Sequence, residues 1–266
     1  MFAQNSTTPT PKDKLGDPKQ EVIAAIVLAS MFVLLGLLAF FRARRYGRSD
    51  WSSPTFVFFL CIVGHCIIRA IELPLHATGY ISDIGSLPPS ITFQGTLYIY
   101  LRIWQVQCDT FDAHESSDSR VNFPLKLSIL WLILWVIAIA LDQTFEYIFS
   151  EGYPVPYITY LYNTFNYIII AAGFLHLGEQ MRVSMSGLLG EGSPIFERHV
   201  MRVKIFFSIA CLIRAVVSVI QNKYPNLRTV SFFEPFLIFL VEFLPLLASI
   251  LSMYYVQLQQ KTSSGT

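Results

Sequence analysis

Residues 21–41 read EVIAAIVLASMFVLLGLLAFF, a run in which Ser30 is the one polar residue after Glu21. An α-helix rises about 1.5 Å per residue, so about 20 such residues cross the roughly 30 Å of hydrocarbon in a bilayer. Six further runs of similar length and character follow, so that the seven cover residues 21–41, 54–75, 88–108, 125–147, 157–181, 199–221 and 233–256. We therefore predict an all-α membrane protein, a bundle of seven transmembrane helices.

The composition favours the same class. Hydrophobic residues make up 53% of the chain and charged residues 14%, against roughly 25% charged residues in soluble domains. The net charge of +1 gives no general attraction to nucleic acid, so we expect no nucleic-acid partner. The predicted bundle occupies residues 21–256, between a disordered tail, 1–20, and a short tail, 257–266.

Basic residues predict the orientation of the bundle. They collect in the first, third and fifth connections, as Arg42, Arg44, Arg45, Arg48, Arg120, Lys126, Arg182, Arg198, Arg202 and Lys204. The second and fourth connections have none, and the sixth has Lys223 and Arg228. Lys12, Lys14 and Lys19 of the N-terminal tail oppose the pattern, but the denser Arg cluster after the first helix outweighs them. Because Lys and Arg stay on the cytoplasmic side, the N-terminus is predicted to be outside or lumenal and the C-terminus cytosolic. Asn5 then begins a glycosylation acceptor, Asn5-Ser6-Thr7, on the outer tail.

Ionisable residues inside the predicted spans are the main functional signal. His65, Arg69 and Glu72 share one face of the second helix, at spacings of four and three. A charge at the centre of a membrane helix costs at least about 2.5 kcal/mol, so such groups face the bundle interior and pair. Counted at about 1.5 Å of helix per residue, these groups and the polar residues of the other helices lie at similar depths in the membrane. The predicted polar network or ligand cavity comprises Arg69, Glu72, Asp142, Asn163, Asn166, Arg214 and Glu242.

Two interpretations of this set stay open. In one, the charges form a structural network, with Arg69 paired to Glu72 or Glu242 and Arg214 paired to Glu242. In the other, they line an outward-facing cavity in which the arginines bind an anionic head group. Pro245 is predicted to kink the seventh helix.

Several established classes lack support in the sequence. The seventh helix has no Lys for a retinal Schiff base and no Asn-Pro-x-x-Tyr, and the third has no Asp-Arg-Tyr-like end, unlike rhodopsin-class receptors. There is no His-Glu-x-x-His, no Gly-x-Ser-x-Gly and no glycine-rich phosphate loop. We expect no catalytic residue, no metal and no cofactor, and hence not an enzyme.

The cytosolic connections are candidate docking surfaces. The third, residues 109–123, is acidic and carries Asp109, Asp112 and Glu115, and the fifth, residues 182–198, is rich in Gly and Ser and is predicted to be flexible. These segments either dock a cytosolic partner or are solvated connectors.

Helices six and seven carry a family resemblance. Ala210-Cys211-Leu212-Ile213-Arg214 is followed, after a polar loop, by Leu240-Val241-Glu242-Phe243-Leu244-Pro245. This order resembles the tobamovirus multiplication protein family of seven-span, receptor-like membrane proteins. Arg69 within helix two and Ile103-Trp104-Gln105-Val106 are similar too, so that the resemblance covers residues 21–256.

The resemblance implies a receptor-like bundle in an endomembrane, often vacuolar or lysosomal rather than the plasma membrane, without established catalysis. Plant members of that family anchor viral replication proteins and bind a small GTPase of the ADP-ribosylation-factor-like type. Arg214, Glu242 and Pro245 match the family's signature positions. The tail after helix seven has a single Lys, where the family commonly has a basic cluster, which puts a contact through the tail in doubt.

The leading hypothesis is thus a membrane scaffold that recruits a cytosolic partner, a small GTPase by resemblance. The alternative is a transporter or receptor for a small anionic or amphiphilic ligand in an outward-facing polar cavity. Homo-oligomerisation is left open by the sequence.

Overall fold

A computed structural model of the chain describes residues 18–47, 53–78, 87–111, 130–131, 133–141, 157–189, 194–223 and 233–263. These residues are helical apart from Ser53 and Thr78 at the ends of one helix. The helices are α1 (Pro18–Gly47), α2 (Pro54–Ala77), α3 (Leu87–Phe111), α4 (130–141, without residue 132), α5 (Tyr157–Leu189) and α6 (Pro194–Lys223). The last rod consists of α7 (Phe233–Ile238), a π-helical turn (Phe239–Phe243) and α8 (Leu244–Ser263).

Local chemistry sets the ends of α2. Ser53 has extended backbone angles, and its hydroxyl accepts a hydrogen bond from the backbone N–H of Phe56 at 3.2 Å. Pro54 follows at the first helical position, where its missing N–H costs nothing. At the other end, Thr78 donates its backbone N–H to the carbonyl of Pro74 at 3.0 Å. The second apolar run therefore begins and ends where the sequence provides caps.

Four helices of the described chain are long and apolar enough to cross a membrane: Lys19–Tyr46, Pro54–Ala77, Arg198–Ile220 and Glu234–Met253, with mean hydropathies of 2.8, 2.1, 2.2 and 2.3. The prediction of an all-helical, multi-pass membrane protein is confirmed at this level. Seven spans and their orientation stay predictions. The helices α3 and α5 contain many Tyr, Thr, Gln and Asn residues, which lowers their hydropathy.

The helices pack as a closed ring. Each of the pairs α1–α2, α2–α3, α3–α5 and α5–α6 is in contact, α6 packs on the π-helical turn and α8, and α7 returns to α1. Side chains on the inside of the ring include Phe32, Phe93, Tyr167, Phe207 and Leu246, all nearly inaccessible. Long apolar side chains such as Ile23, Leu34, Phe41, Phe165 and Val216 are exposed on the outside. We call these outward side chains the apolar belt.

Several helices extend further than the apolar runs predicted. The connection 182–198 was expected to be flexible, but α5 continues to Leu189 and α6 begins at Pro194, so that prediction is wrong for residues 182–189 and 194–198. Extending an existing helix fixes one residue for each new hydrogen bond, which is far cheaper than starting one, and no proline interrupts the chain before Pro194. The last helix likewise continues through Ser263, into the segment predicted as a tail.

Candidate functional site

The candidate site is a buried group of charges between α2, α6 and the π-helical turn. We call His65, Arg69, Glu72, Arg214 and Glu242 the charge cluster. Glu242 and His65 are 0% exposed and Arg69 is 2% exposed. Since α2 presents its residues every three or four positions on one face, His65, Arg69 and Glu72 all point toward the last rod.

Arg69 and Glu242 form the centre of the charge cluster. Arg69 donates Nε to Glu242 Oε2 at 2.7 Å and Nη2 to Glu242 Oε1 at 2.5 Å. A third bond runs from Arg69 Nη1 to Glu72 Oε2 at 2.9 Å. The two-pronged contact matches the planar guanidinium to a carboxylate, the strongest hydrogen-bonded arrangement that these groups make. It ties α2 to the last rod.

Arg214 and His65 approach the same carboxylate from other sides. Arg214 Nη2 lies 3.2 Å from Glu242 Oε1, and His65 Nε2 lies 3.5 Å from Glu242 Oε2. The Nδ1 atom of His65 is 3.0 Å from the Thr92 hydroxyl of α3. Glu242 is therefore shared by three side chains from two helices, and the cluster connects α2, α3, α6 and the π-helical turn.

The formal charges of the cluster cancel. Arg69 and Arg214 supply two positive charges and Glu72 and Glu242 two negative ones, with His65 neutral. Burial of unbalanced charge is expensive in a low-dielectric interior, so this balance is what permits the cluster to be buried. Within the described residues, the Tyr167 hydroxyl, Arg214 Nε and His65 Nε2 are buried without a well-aligned hydrogen bond, although Tyr167 and Arg214 are within reach of each other.

The backbone around Glu242 is itself unusual. The residues Phe239–Phe243 form the π-helical turn, in which the N–H of Leu244 bonds to the carbonyl of Phe239, five residues earlier. Pro245 has no N–H and its ring would crowd the carbonyl four residues before it. A widened turn accommodates that crowding, and it carries Glu242 into the bundle. The π-helical turn lies immediately before Pro245, and the kink at that proline stays a prediction.

The two amides predicted to join the charges lie in a different cluster. Gln94 of α3 donates to Asn163 Oδ1, and its own Oε1 accepts from the indole N–H groups of Trp131 and Trp135 at 3.2 and 3.0 Å. Asn166 accepts from the Tyr98 hydroxyl at 3.3 Å. Within the described residues, neither amide bonds to the charge cluster. These neutral side chains, centred on Gln94, form what we call the amide cluster between α3, α4 and α5.

Gln94 was not among the predicted site residues, yet it is 0% exposed and joins three helices. The available signal was a glutamine inside an apolar run, the same signal that singled out the buried charges. A third polar contact, also not predicted, joins α5 to α6: Lys204 Nζ donates to Glu179 Oε2 at 2.6 Å, and Arg182 Nε donates to the other oxygen at 2.9 Å.

Several residues predicted to form the site, the docking surface or the glycosylation acceptor are not among those that the structure describes. Asn5, Asp112, Glu115 and Asp142 lie outside the described residues, and of Asp109 only the helical backbone at the end of α3 is described. Among the described residues, no group of three or more His, Cys, Asp or Glu side chains is placed to hold a metal ion.

Comparisons of the chain with models of protein families, with curated proteins and with solved structures find no match. The resemblance to the tobamovirus multiplication protein family therefore stays a prediction, and the functional argument depends on the residues themselves.

Proposed function

We propose that the chain is a receptor-like membrane scaffold whose helices are fixed by the charge cluster and whose cytosolic connections recruit a partner. The observation that carries this proposal is the inverted distribution of polarity. Buried charges satisfy one another inside the ring, while large apolar side chains such as Leu34 and Val216 are exposed on the outside. Exposed apolar surface of this extent suits lipid rather than water.

The finer proposal is seven spans, with the N-terminus outside or lumenal and the C-terminus cytosolic. The asymmetry of Lys and Arg between odd and even connections supports it. Glycosylation at Asn5 tests it in cells. A mass shift that is lost on treatment with an N-glycosidase and in Asn5→Gln supports the orientation. Labelling of a cysteine introduced at the N-terminus by a membrane-impermeant reagent that is admitted only to the cytosol contradicts it.

The proposed partner is a small GTPase of the ADP-ribosylation-factor-like type, at a vacuolar, lysosomal or other endomembrane. The family resemblance supports this choice, and the acidic residues Asp109, Asp112 and Glu115 are the surface proposed for docking. The tagged full chain is purified in mild detergent with GDP or with a non-hydrolysable GTP analogue, and proteins that copurify are identified by mass spectrometry.

A small GTPase retained in one nucleotide state, and lost from the triple variant D109N/D112N/E115Q, is the expected result. The matched control is Glu234→Gln, which removes one acidic charge at the start of α7, on the opposite side of the proposed membrane. Retention by the triple variant, with its bundle still folded, would show that the acidic connection is not the docking surface. Absence of any nucleotide-dependent partner would contradict the GTPase proposal.

A second candidate function has one specific observation in its favour. The Tyr167 hydroxyl, Arg214 Nε and His65 Nε2 are buried without a well-aligned hydrogen bond among the described residues, although Tyr167 and Arg214 are within reach of each other. Buried polar groups whose hydrogen bonds are incomplete are places where a water, an ion or a ligand can bind. They favour the alternative of a transporter or receptor for a small anionic or amphiphilic ligand. The close pairing of the charges with one another favours the structural interpretation instead.

Tyr167→Phe separates the two interpretations because it removes one hydroxyl and nothing else. In a structural network, Tyr167→Phe costs at most the contact with Arg214, about 1.5–3 kcal/mol, and no bound molecule is lost. In a ligand site, it removes a small molecule that copurifies with the parent chain and is seen by native mass spectrometry. Exchanging Arg214 and Glu242 is a poorer test, since the new arginine at position 242 would face Arg69.

A further inference from the structure

A groove opens on the outside of the ring between the first turns of α1 and the start of α7. Its volume is about 500 Å³, within the range of pockets that hold small molecules. Its walls include Gln20, Ala24, Val27 and Met31 on α1, and Phe236 and Phe239 on the last rod. Gln20 is the polar member of this set and lies at the end of the groove nearest the start of α1. The groove is therefore apolar along its length and polar at that end.

The length of the groove matches one leaflet of a bilayer. Gln20 and Met31 are eleven residues apart on α1, which corresponds to about 16 Å of helix. Half of the hydrocarbon thickness of a membrane is about 15 Å. A hydrocarbon chain that entered beside Gln20 would therefore end near Met31, close to the bilayer midplane.

The groove is continuous with the apolar belt. Val27 and Phe236 line it and are 55% and 51% exposed, so its open side faces the medium that surrounds the belt. Ala24 provides the depth, because a larger side chain at that position would fill the trough. Between apolar surfaces within a membrane there is no hydrophobic driving force, and affinity comes from van der Waals contact with a fixed, complementary shape.

We propose that this groove binds one hydrocarbon chain of a membrane lipid, with the lipid head group at the level of Gln20. The inference rests on the proposed function, in that it requires the ring to lie in a bilayer. It adds a binding site at a stated place and a class of ligand, a single acyl chain.

The site is joined to the charge cluster by aromatic contacts. Phe239, the first residue of the π-helical turn, stacks on Phe243 with ring centres 5.4 Å apart. Phe243 meets Phe32 edge-on at 5.6 Å, and Phe32 meets His65 edge-on at 5.8 Å. His65 is the residue 3.5 Å from Glu242. An acyl chain in the groove therefore packs against the same turn that carries the shared carboxylate.

The test uses the full chain in phosphatidylcholine vesicles that contain a small fraction of phosphatidylcholine with a diazirine near the end of one acyl chain. After illumination, labelled positions are mapped residue by residue with mass spectrometry. Because the end of a bound chain lies near Met31, we expect stronger labelling at Met31 than at Leu34 and Val216, which are 68% and 57% exposed on the belt. Ala24→Trp should reduce the groove labelling severalfold, whereas the matched control Leu34→Trp should not.

Each other outcome has a defined meaning. Groove labelling equal to that of Leu34, or unchanged in A24W, would overturn the proposal and leave only bulk lipid contact. Cross-links from the groove to a second copy of the chain would overturn it in favour of a dimer. Absence of labelling anywhere on the belt would instead refute the membrane-spanning proposal itself. Val27→Trp, at a more exposed position of the same groove, repeats the test if A24W does not fold.

Discussion

Removal of the charge on Glu242 should strongly destabilise the protein. Glu242 is 0% exposed, accepts two hydrogen bonds from Arg69, and lies 3.2 Å from Arg214 Nη2. In Glu242→Gln, the formal charge of the cluster changes from zero to +1. Arg69 keeps Glu72, but Arg214 loses the carboxylate with which it is paired.

The size of the loss follows from burial. Breaking a buried ion pair by removing one partner costs about 3–5 kcal/mol, because the other charge stays buried without compensation. We expect E242Q to lose that amount of unfolding free energy, measured by titrating the purified protein from dodecyl maltoside micelles with sodium dodecyl sulfate. The matched control, Arg182→Gln, breaks an ion pair whose two side chains are 36% and 47% exposed, and its loss should be much smaller.

A double variant makes the reasoning refutable. Arg214→Gln alone leaves a charge of −1, and R214Q combined with E242Q returns the cluster to zero. The combined loss should therefore be smaller than the sum of the two single losses, by about 1–3 kcal/mol. Strictly additive losses, or a loss for E242Q below about 1 kcal/mol, the value typical of exposed pairs, would refute the view that charge balance holds the bundle together.

The same titration tests three further changes. In Gly178→Ala, the new Cβ would lie 2.7 Å from Cβ of Lys204, so we expect a loss of about 1–3 kcal/mol from overpacking. The control Gly64→Ala, whose new Cβ has no described atom within 4 Å, should be neutral or slightly stabilising. Equal changes in unfolding free energy for the two variants would contradict this. Gln94→Leu leaves two buried indole N–H groups without their acceptor, at about 1–3 kcal/mol each; an unchanged tryptophan fluorescence spectrum and unfolding midpoint would count against it. Pro245→Ala should destabilise the protein by relaxing the π-helical turn, whereas a gain in stability, as helix propensity alone predicts, would show that the turn does not position the shared carboxylate.

Much of the candidate site could be predicted from the sequence because polar groups in apolar runs are conspicuous. Arg69, Glu72, Arg214 and Glu242 were selected on that basis, and the structure brings them together. The spacing of four and three on α2 was enough to place two of them on one face. The sequence predicted either Glu72 or Glu242 as the partner of Arg69, and in the structure Arg69 bonds to both.

The sequence misassigned Asn163 and Asn166 because it indicates depth along a helix but not rotation about its axis. In the structure Asn163 bonds to Gln94, and Asn166 bonds to the Tyr98 hydroxyl and the Tyr162 carbonyl, so neither side chain bonds to the charge cluster. The docking residues Asp112 and Glu115 stay predictions, since they lie outside the described residues.

The sequence by itself determined the all-helical, multi-pass membrane class, since hydropathy sums over consecutive residues and depends on no distant contact. The ends of α2 likewise depend on local sequence, because Ser53, Pro54 and Thr78 affect only the helical turn next to them. Only the tertiary structure decided that Glu242 is shared by Arg69, Arg214 and His65, that the amides form a separate cluster, and that a π-helical turn precedes Pro245. Those features depend on how each helix is rotated and placed against its neighbours, and that is set by the packing of side chains far apart in the chain.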